Sequence, residues 1–383
     1  MKVYLDQANI VCSLGSSLSE VWKNLCLKKT GIISLKEKNL IPKSFTVDAG
    51  APYQHIFLPP VNENSISEEY KVLIETLVNG LKPNEQPVDA IVIASNVNNS
   101  EKYLSKKNIT EDICVEMLKD SLIRKAFKIS PDLEVISIYN TCVSGLSALN
   151  IGSGFVKYLN KKQVIVITLE PRLGMWALMP LEFLNMLSRQ PITARASVPF
   201  SIDRGGFVKG DGCAIAILSP LRKDNQVEIV AVAEKNDLYR LTDPHEEGRG
   251  LEAAIRDVLA QAQINSDEID YVSAHATSTK KYDIVEADVL KKIFDSNKKI
   301  KITALKSQIG HTNISSGLIA SIIAAKSVQE KTVTPVVGLN LDPEIARLNY
   351  VTDVKNENIK NALVNASGIG GYNASLLLRT NDQ

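Results

Sequence analysis

Three short segments hold the residues best suited to chemistry: Cys142 in NTCVSG (140–145), His275 in AHATST (274–279) and His311 at the end of KSQIGH (306–311). The chain has only four histidines and five cysteines, so three of these nine reactive residues fall at predicted strand-to-loop junctions. A cysteine among small residues is ordinarily a buried core thiol, and a single histidine there would ordinarily be structural. Two histidines beside one cysteine change that balance and suit acyl-thioester chemistry. Cys142 follows the apolar run EVISIY and opens a predicted helix, where free backbone N–H groups and the helix dipole can lower a thiol pKa. His275 is followed by the hydroxyls of Thr277, Ser278 and Thr279, which could hold an amide-rich ligand arm beside the ring. Lys306, five residues before His311, disfavours a second positive charge nearby, and a neutral imidazole can donate its N–H to a developing oxyanion.

The elements that must position these residues read as alternating strands and helices. The runs VDAIVIAS (88–95), EVISIY (134–139), QVIVITLE (163–170) and CAIAILS (213–219) are expected to be buried strands. Between the second and third, VSGLSALNIGSGFVKYL has helical apolar spacing and small residues where a helix would cross other backbones closely. After the polar linker SPLRKDNQ (219–226) the alternation restarts with VEIVAVAE, a helix over about 251–263, the strand DYVSA, a helix near 283–294 and KITALK. Two similar lobes are therefore expected, over residues 1–222 and 223–383, the first with the cysteine and the second with both histidines. NASGIGGYNASLLL (365–378) reads as a strand, a glycine turn and a hairpin return. Its GIGG lacks the Lys-Ser/Thr sequel of a P-loop and the GxGxxG spacing of a dinucleotide site. The charged runs KKYD, DSNKK and KDNQ read as solvated loops and helix ends.

Composition narrows the function classes. The 383 residues carry 44 Lys plus Arg against 43 Asp plus Glu, so a net charge of +1 gives no reason to invoke nucleic acid or an anionic membrane. Cys12, Cys26, Cys114, Cys142 and Cys213 are odd in number and widely spaced, without a CxxC pair. That argues against a disulfide framework and a structural zinc site, and for a cytoplasmic protein. Asp6, Gln7 and Asn9 interrupt any signal-like apolar region, and no run reaches the roughly 18 residues of a membrane span.

The segments together resemble the β-ketoacyl-acyl-carrier-protein synthases, the decarboxylating condensing enzymes of the thiolase fold. LGSSLSEVWKNLCLKKTGI (14–32) is similar to the family's opening, NTCVSGLSAL to its nucleophile turn, and PFSIDRGGFVKGDGCAIAIL (199–218) to its central landmarks. AHATSTKKYDIVEA, TALKSQIGH and NASGIGGYN follow in order. The resemblance implies a two-lobed α/β/α/β/α sandwich with mixed five-stranded sheets, and decarboxylative condensation of an acyl thioester with a malonyl carrier. It implies Cys142 as the acyl-accepting nucleophile, His275 and His311 as the pair on the malonyl thioester oxygen, and Lys306 as their supporting cation. Thr277 and Thr279 would contact phosphopantetheine, and the N–H groups of Cys142 and Ile369 would form the oxyanion hole. The partner would be acyl carrier protein, which brings the phosphopantetheine; no other cofactor and no metal is implied.

Departures from the pattern bear on activity. Ala276 and Ser278 alter the family's HGTGT, Ala320 stands where the family has an acid, and Ile369 and Ser367 replace two phenylalanines of the gate. An alternative is therefore a chain-length-factor-like subunit, weakly catalytic or inactive, that shapes the tunnel of a partner synthase. The family's dimer, homodimeric or with a paralogous ketosynthase, pairs through a strand of the first lobe, for which QVIVITLE is the candidate.

Overall fold

The computed structural model describes all residues except 57, 59–64, 96–110, 171, 192–194, 298, 346 and 381–383. Ten strands form one sheet, in chain order β1 (Tyr4–Cys12), β2 (Val88–Ser95), β3 (Ile129–Ile138), β4 (Val164–Leu169), β5 (Gly212–Ser219), β6 (Val227–Asn236), β7 (Tyr271–Ser273), β8 (Lys301–Thr303), β9 (Asn361–Gly368) and β10 (Tyr372–Thr380). Their spatial order is β8-β7-β9-β10-β6-β1-β5-β4-β2-β3. Numbered within its own lobe, each group of five has the order 3-2-4-5-1, the first two neighbouring pairs parallel and the last two antiparallel. The same sheet is thus built twice. The two halves meet edge to edge where Tyr4 and Leu5 of β1 pair with Glu228 and Val227 of β6. The expected pair of five-stranded sheets is hydrogen-bonded into one.

The side-chain period of a strand explains the layering. In β4, Val164 and Val166 face a central core with helices α3 (Ser144–Leu159) and α6 (Ser316–Glu330). Ile165 and Ile167 face an outer core with α1 (Ser65–Asn79) and α2 (Glu111–Arg124). On the far half, Val364 and Leu376 point to the central core, whereas Leu363 and Leu377 pack beneath α4 (Arg249–Ala262) and α5 (Lys280–Phe294). Both faces of each half are covered, which is why the strands read as near-continuous apolar runs.

Two strand expectations need correction. EVISIY lies in β3, which among the described residues has β2 as its only strand neighbour and is largely exposed rather than buried, with Val135 and Ile136 on its surface. QVIVITLE, the candidate pairing strand, is β4; it is wholly buried, and its backbone is already bonded to β2 on one side and β5 on the other. A second chain cannot add to it. The open edge of the first lobe is β3.

The two central helices cross at their N-termini on glycines. A Cβ on Gly145 would lie 2.4 Å from the backbone nitrogen of Leu318, and one on Gly317 would lie 3.0 Å from that of Leu146. Because the first obstacle is backbone, no rotamer change relieves it. Gly145→Ala is expected to cost about 2–3 kcal/mol in urea unfolding, as overpacked cores do, and a cost under about 0.5 kcal/mol would show that the helices separate freely.

Candidate active site

The turn that carries Cys142 sits at the head of α3, in the central layer. Thr141–Val143 form a single 3₁₀ turn before Ser144 begins the helix. Ser144 Oγ accepts from Asn140 N at 2.8 Å and donates to Thr141 O at 2.7 Å, locking the turn. Thr141 has φ of +48°, a left-handed conformation that costs a β-branched residue energy and marks a constrained site. The β9–β10 hairpin presses on this turn: a Cβ on Gly368 would come within 2.4 Å of Thr141 Oγ1. Gly370 and Gly371, at φ of +88° and +78°, turn the chain there, and the backbone N–H of Ile369 points at the Cys142 sulfur.

Both histidines converge on that point. His311 Nε2 lies 3.2 Å from Cys142 Sγ, and the rings of His275 and His311 stand edge to face with centroids 5.4 Å apart. Gly310, at φ of +67°, turns the chain into His311, whose backbone is held by Val208 O (2.6 Å) and by Gly210 N donating to its carbonyl (3.0 Å). Lys306 is buried; its Nζ lies 3.4 Å from His275 Nδ1 and also donates to the His275 carbonyl. An ammonium can only donate, so His275 Nδ1 accepts and the ring carries its proton on Nε2. Burial first, then Lys306, hold both imidazoles well below the usual histidine value, so both are neutral. Thr277 and Thr279 line the same cavity with their hydroxyl oxygens 3.0 Å apart.

The thiol departs from its expected state. Burial pushes Cys142 up to about 11, opposed by Lys306 and Lys209 and reinforced by Glu170. Desolvation outweighs the helix terminus, and the resting pair is a neutral thiol beside a neutral imidazole.

Glu286, on α5, was given no role by its sequence position. Its two carboxylate oxygens accept from the backbone nitrogens of His275 (2.9 Å) and Ala276 (2.7 Å), and Asn365 Nδ2 donates to it at 3.2 Å. It is also the strongest influence raising Lys306 against the burial that brings its ammonium down to about 8. The acid missing at Ala320 therefore leaves Lys306 with a carboxylate neighbour supplied by another helix. Glu286→Ala would leave two buried N–H groups without their acceptor and a buried cation without its neighbouring negative charge. It is expected to lower stability by about 3 kcal/mol in chemical denaturation, and an effect within about 0.5 kcal/mol would mean the turn is held by other contacts.

Cys142, His275 and His311 open onto one cavity of about 1140 Å³. Leu173, Met175, Leu181, Met186 and Phe207 give it an apolar wall, and Ile369 and Ser367 line it near Cys142. Phe207 meets His311 edge on at 5.1 Å. The wall also holds a buried Lys209–Glu170 ion pair at 2.9 Å, which sequence reading passed over although Lys209 interrupts an apolar and glycine run. Asp211 of the Gly-acid-Gly landmark accepts from Tyr53 N (3.1 Å) and Leu173 N (2.7 Å), tying two wall segments together. Among the described residues no cluster of His, Cys, Asp and Glu could hold a metal ion, and none of the five cysteines is joined in a disulfide.

A duplicated 3-2-4-5-1 sheet with paired central helices is the thiolase-like fold, and a cysteine lies at the head of one of those helices. Residues 227–340 match the family profile of the β-ketoacyl synthase C-terminal domain. The chain is 32% identical over 191 residues to 3-oxoacyl-[acyl-carrier-protein] synthase II, chloroplastic, of Arabidopsis thaliana, covering 48% of this chain and 35% of that one. It is 24% identical over 99% of both chains to the putative 3-oxoacyl-[acyl-carrier-protein] synthase, mitochondrial, of Schizosaccharomyces pombe. The solved ishigamide ketosynthase/chain length factor superposes with a TM-score of 0.80 at 18% identity, over 100% of this chain and 99% of that one. The chain is thus similar to β-ketoacyl synthases, most specifically over residues 227–340. It spans about half the length, or less, of several curated relatives that it matches.

Proposed function

We propose that the chain is a 3-oxoacyl-acyl-carrier-protein synthase, an acyltransferase that condenses an acyl thioester with malonyl-carrier protein in fatty acid or polyketide biosynthesis. The observation that carries this reading is the convergence of His311 Nε2 on Cys142 Sγ at 3.2 Å, with His275 and its Lys306 partner beside them. The acyl carbon moves from the carrier thiol to Cys142 Sγ, and the proton lost by Cys142 ends on the departing carrier thiol. Malonyl-carrier then loses carbon dioxide, and the electron pair of the broken bond becomes an enolate. The enolate carbon bonds to the acyl carbon, and Cys142 leaves as thiolate. Dividing the reaction this way replaces one hard step with two easier ones.

Each residue has a role set by its chemistry. The N–H groups of Cys142 and Ile369 receive the oxyanion of acyl transfer. His275 Nε2–H, oriented by Lys306, and His311 receive the charge that develops on the malonyl thioester oxygen. Thr277 and Thr279 take the amides of the phosphopantetheine arm, which the carrier protein brings, and no other cofactor enters. The apolar wall suits an acyl chain.

The pH dependence follows from Lys306. Below about 8 its ammonium puts a positive charge beside His275 Nδ1; above that value the charge is lost, so malonyl decarboxylation should fall as pH rises through about 8. Since both imidazoles are held well below 6.5, no loss should set in on acidification near that value. An acid limb at 6.5 in the decarboxylation rate would contradict neutral buried histidines.

The exposed edge of β3 is the surface through which a second copy, or a paralogous ketosynthase, would extend the sheet, because its outer backbone groups have no strand neighbour among the described residues. Five cysteines outside any disulfide suit a reducing cytoplasm, and no helix among the described residues is long and apolar enough to cross a membrane. A chain-length-factor-like role is the second reading, supported by Ile369 and Ala320; the assembled Cys142, His275 and His311 favour the enzyme. The experiment supplies acyl- and malonyl-carrier proteins to the chain, alone and with a ketosynthase partner. A β-ketoacyl product formed by the chain alone supports the enzyme, and altered product length only with a partner supports the subunit.

A further inference from the structure

We propose that Glu170, Lys209 and Asn313 are positioning residues: a buried charged clasp that fixes His311 against Cys142 and sets the charge around that sulfur. The clasp closes through both side chains and backbone. Lys209 Nζ pairs with Glu170 Oε1 at 2.9 Å and donates to Gly210 O at 2.8 Å. Asn313 Nδ2 donates to the same Glu170 oxygen at 3.3 Å. Lys209 itself bridges in parallel with His311, through His311 N to Val208 O and Gly210 N to His311 O. One carboxylate, brought from the end of β4, thus holds the strand on one side of His311 and the residue two positions after it.

Stability alone does not account for such a pair. Lys209 and Glu170 are 1% and 4% exposed, and a buried ion pair is commonly no more stabilising than apolar side chains of the same volume. Among the described residues Glu170 Oε2 has no hydrogen-bond partner, whereas the buried polar atoms of a purely structural network are paired. What the pair does have is position, since both side chains line the cavity that holds Cys142 and His311.

The charges facing Cys142 are Lys306 from the segment after β8, Lys209 from the strand bridged to His311, and Glu170 from the end of β4; Tyr139 and Tyr282 also face it, beside the neutral His311. Lys209 favours the thiolate and Glu170 opposes it, so the clasp makes predictions of opposite sign. A merely structural pair would change reactivity in one direction when either partner is removed.

The proposal rests on Cys142 and His311 being the reacting pair, yet it can be read without turnover, by carbamidomethylation of Cys142 with iodoacetamide at pH 8 followed by peptide mass. Thiolate is the reacting form, so the alkylation rate follows the fraction of Cys142 that is ionised. In the full chain, Lys209→Met is expected to slow alkylation about tenfold and Glu170→Gln to accelerate it about tenfold. Asn313→Asp, at a half-buried position, adds an anion and should also slow the reaction, which keeps the comparison readable if Lys209→Met does not fold. Changes of the same sign in Glu170→Gln and either other variant, or none beyond about twofold, would overturn the clasp. Opposed changes in a protein that never yields a β-ketoacyl product would keep the clasp and remove the condensing reading. Same-sign changes in a protein that does condense would remove the clasp alone.

Discussion

Cys142→Ala is expected to abolish the acyl-enzyme and to lower condensation on the order of 10⁴-fold or more, because the covalent route has no substitute nucleophile in the cavity. Cys142 is the one cysteine lining that cavity among the described residues. The same variant should still decarboxylate malonyl-carrier protein, since His275, His311 and Lys306 hold one another without the sulfur. Measuring carbon dioxide release and product formation side by side checks both statements. Loss of decarboxylation together with acylation would mean that the thiol, not the imidazoles, organises the malonyl site.

His311→Ala is expected to divide the half-reactions the other way. Removing one preorganised donor to a developing oxyanion typically costs about 10² to 10³ in rate, so malonyl decarboxylation should fall by that factor. Acyl loading should fall about tenfold or less, because the Ile369 N–H and the turn that presents Cys142 remain. Single-turnover transfer from an acyl carrier, followed against decarboxylation in the same preparation, separates the two. Equal losses in both would assign His311 chiefly to thiol activation, which its 3.2 Å approach to Cys142 also permits geometrically.

The parts of this site that could be read from sequence are those fixed by local rules. Cys142, His275 and His311 each follow an apolar run and precede a turn or helix, and the glycines after Ser367 announce a hairpin. Burial by distant segments could not be read in the same way. EVISIY looks as apolar as QVIVITLE, yet only the spatial order 3-2-4-5-1 makes the former an edge and the latter a centre. The Cys142 thiol looked activated from its helix terminus, whereas its desolvation depends on the hairpin and the cavity wall packed around it. Glu286, Lys209 and Glu170 were missed for a related reason. Apart from the adjacent Gly210 carbonyl, their partners lie 10 to 143 positions away, so their burial and pairing exist only once the chain has folded.

The central claim is that Cys142 accepts the acyl group, and intact mass of the purified chain after incubation with acyl-carrier protein tests it most directly, with proteolytic mapping of the modified residue. One acyl increment on the peptide holding Cys142, discharged when malonyl-carrier protein is added and a β-ketoacyl carrier appears, is the predicted result. No increment at Cys142, or an increment on the partly exposed Cys26 while elongated product still forms, would contradict it.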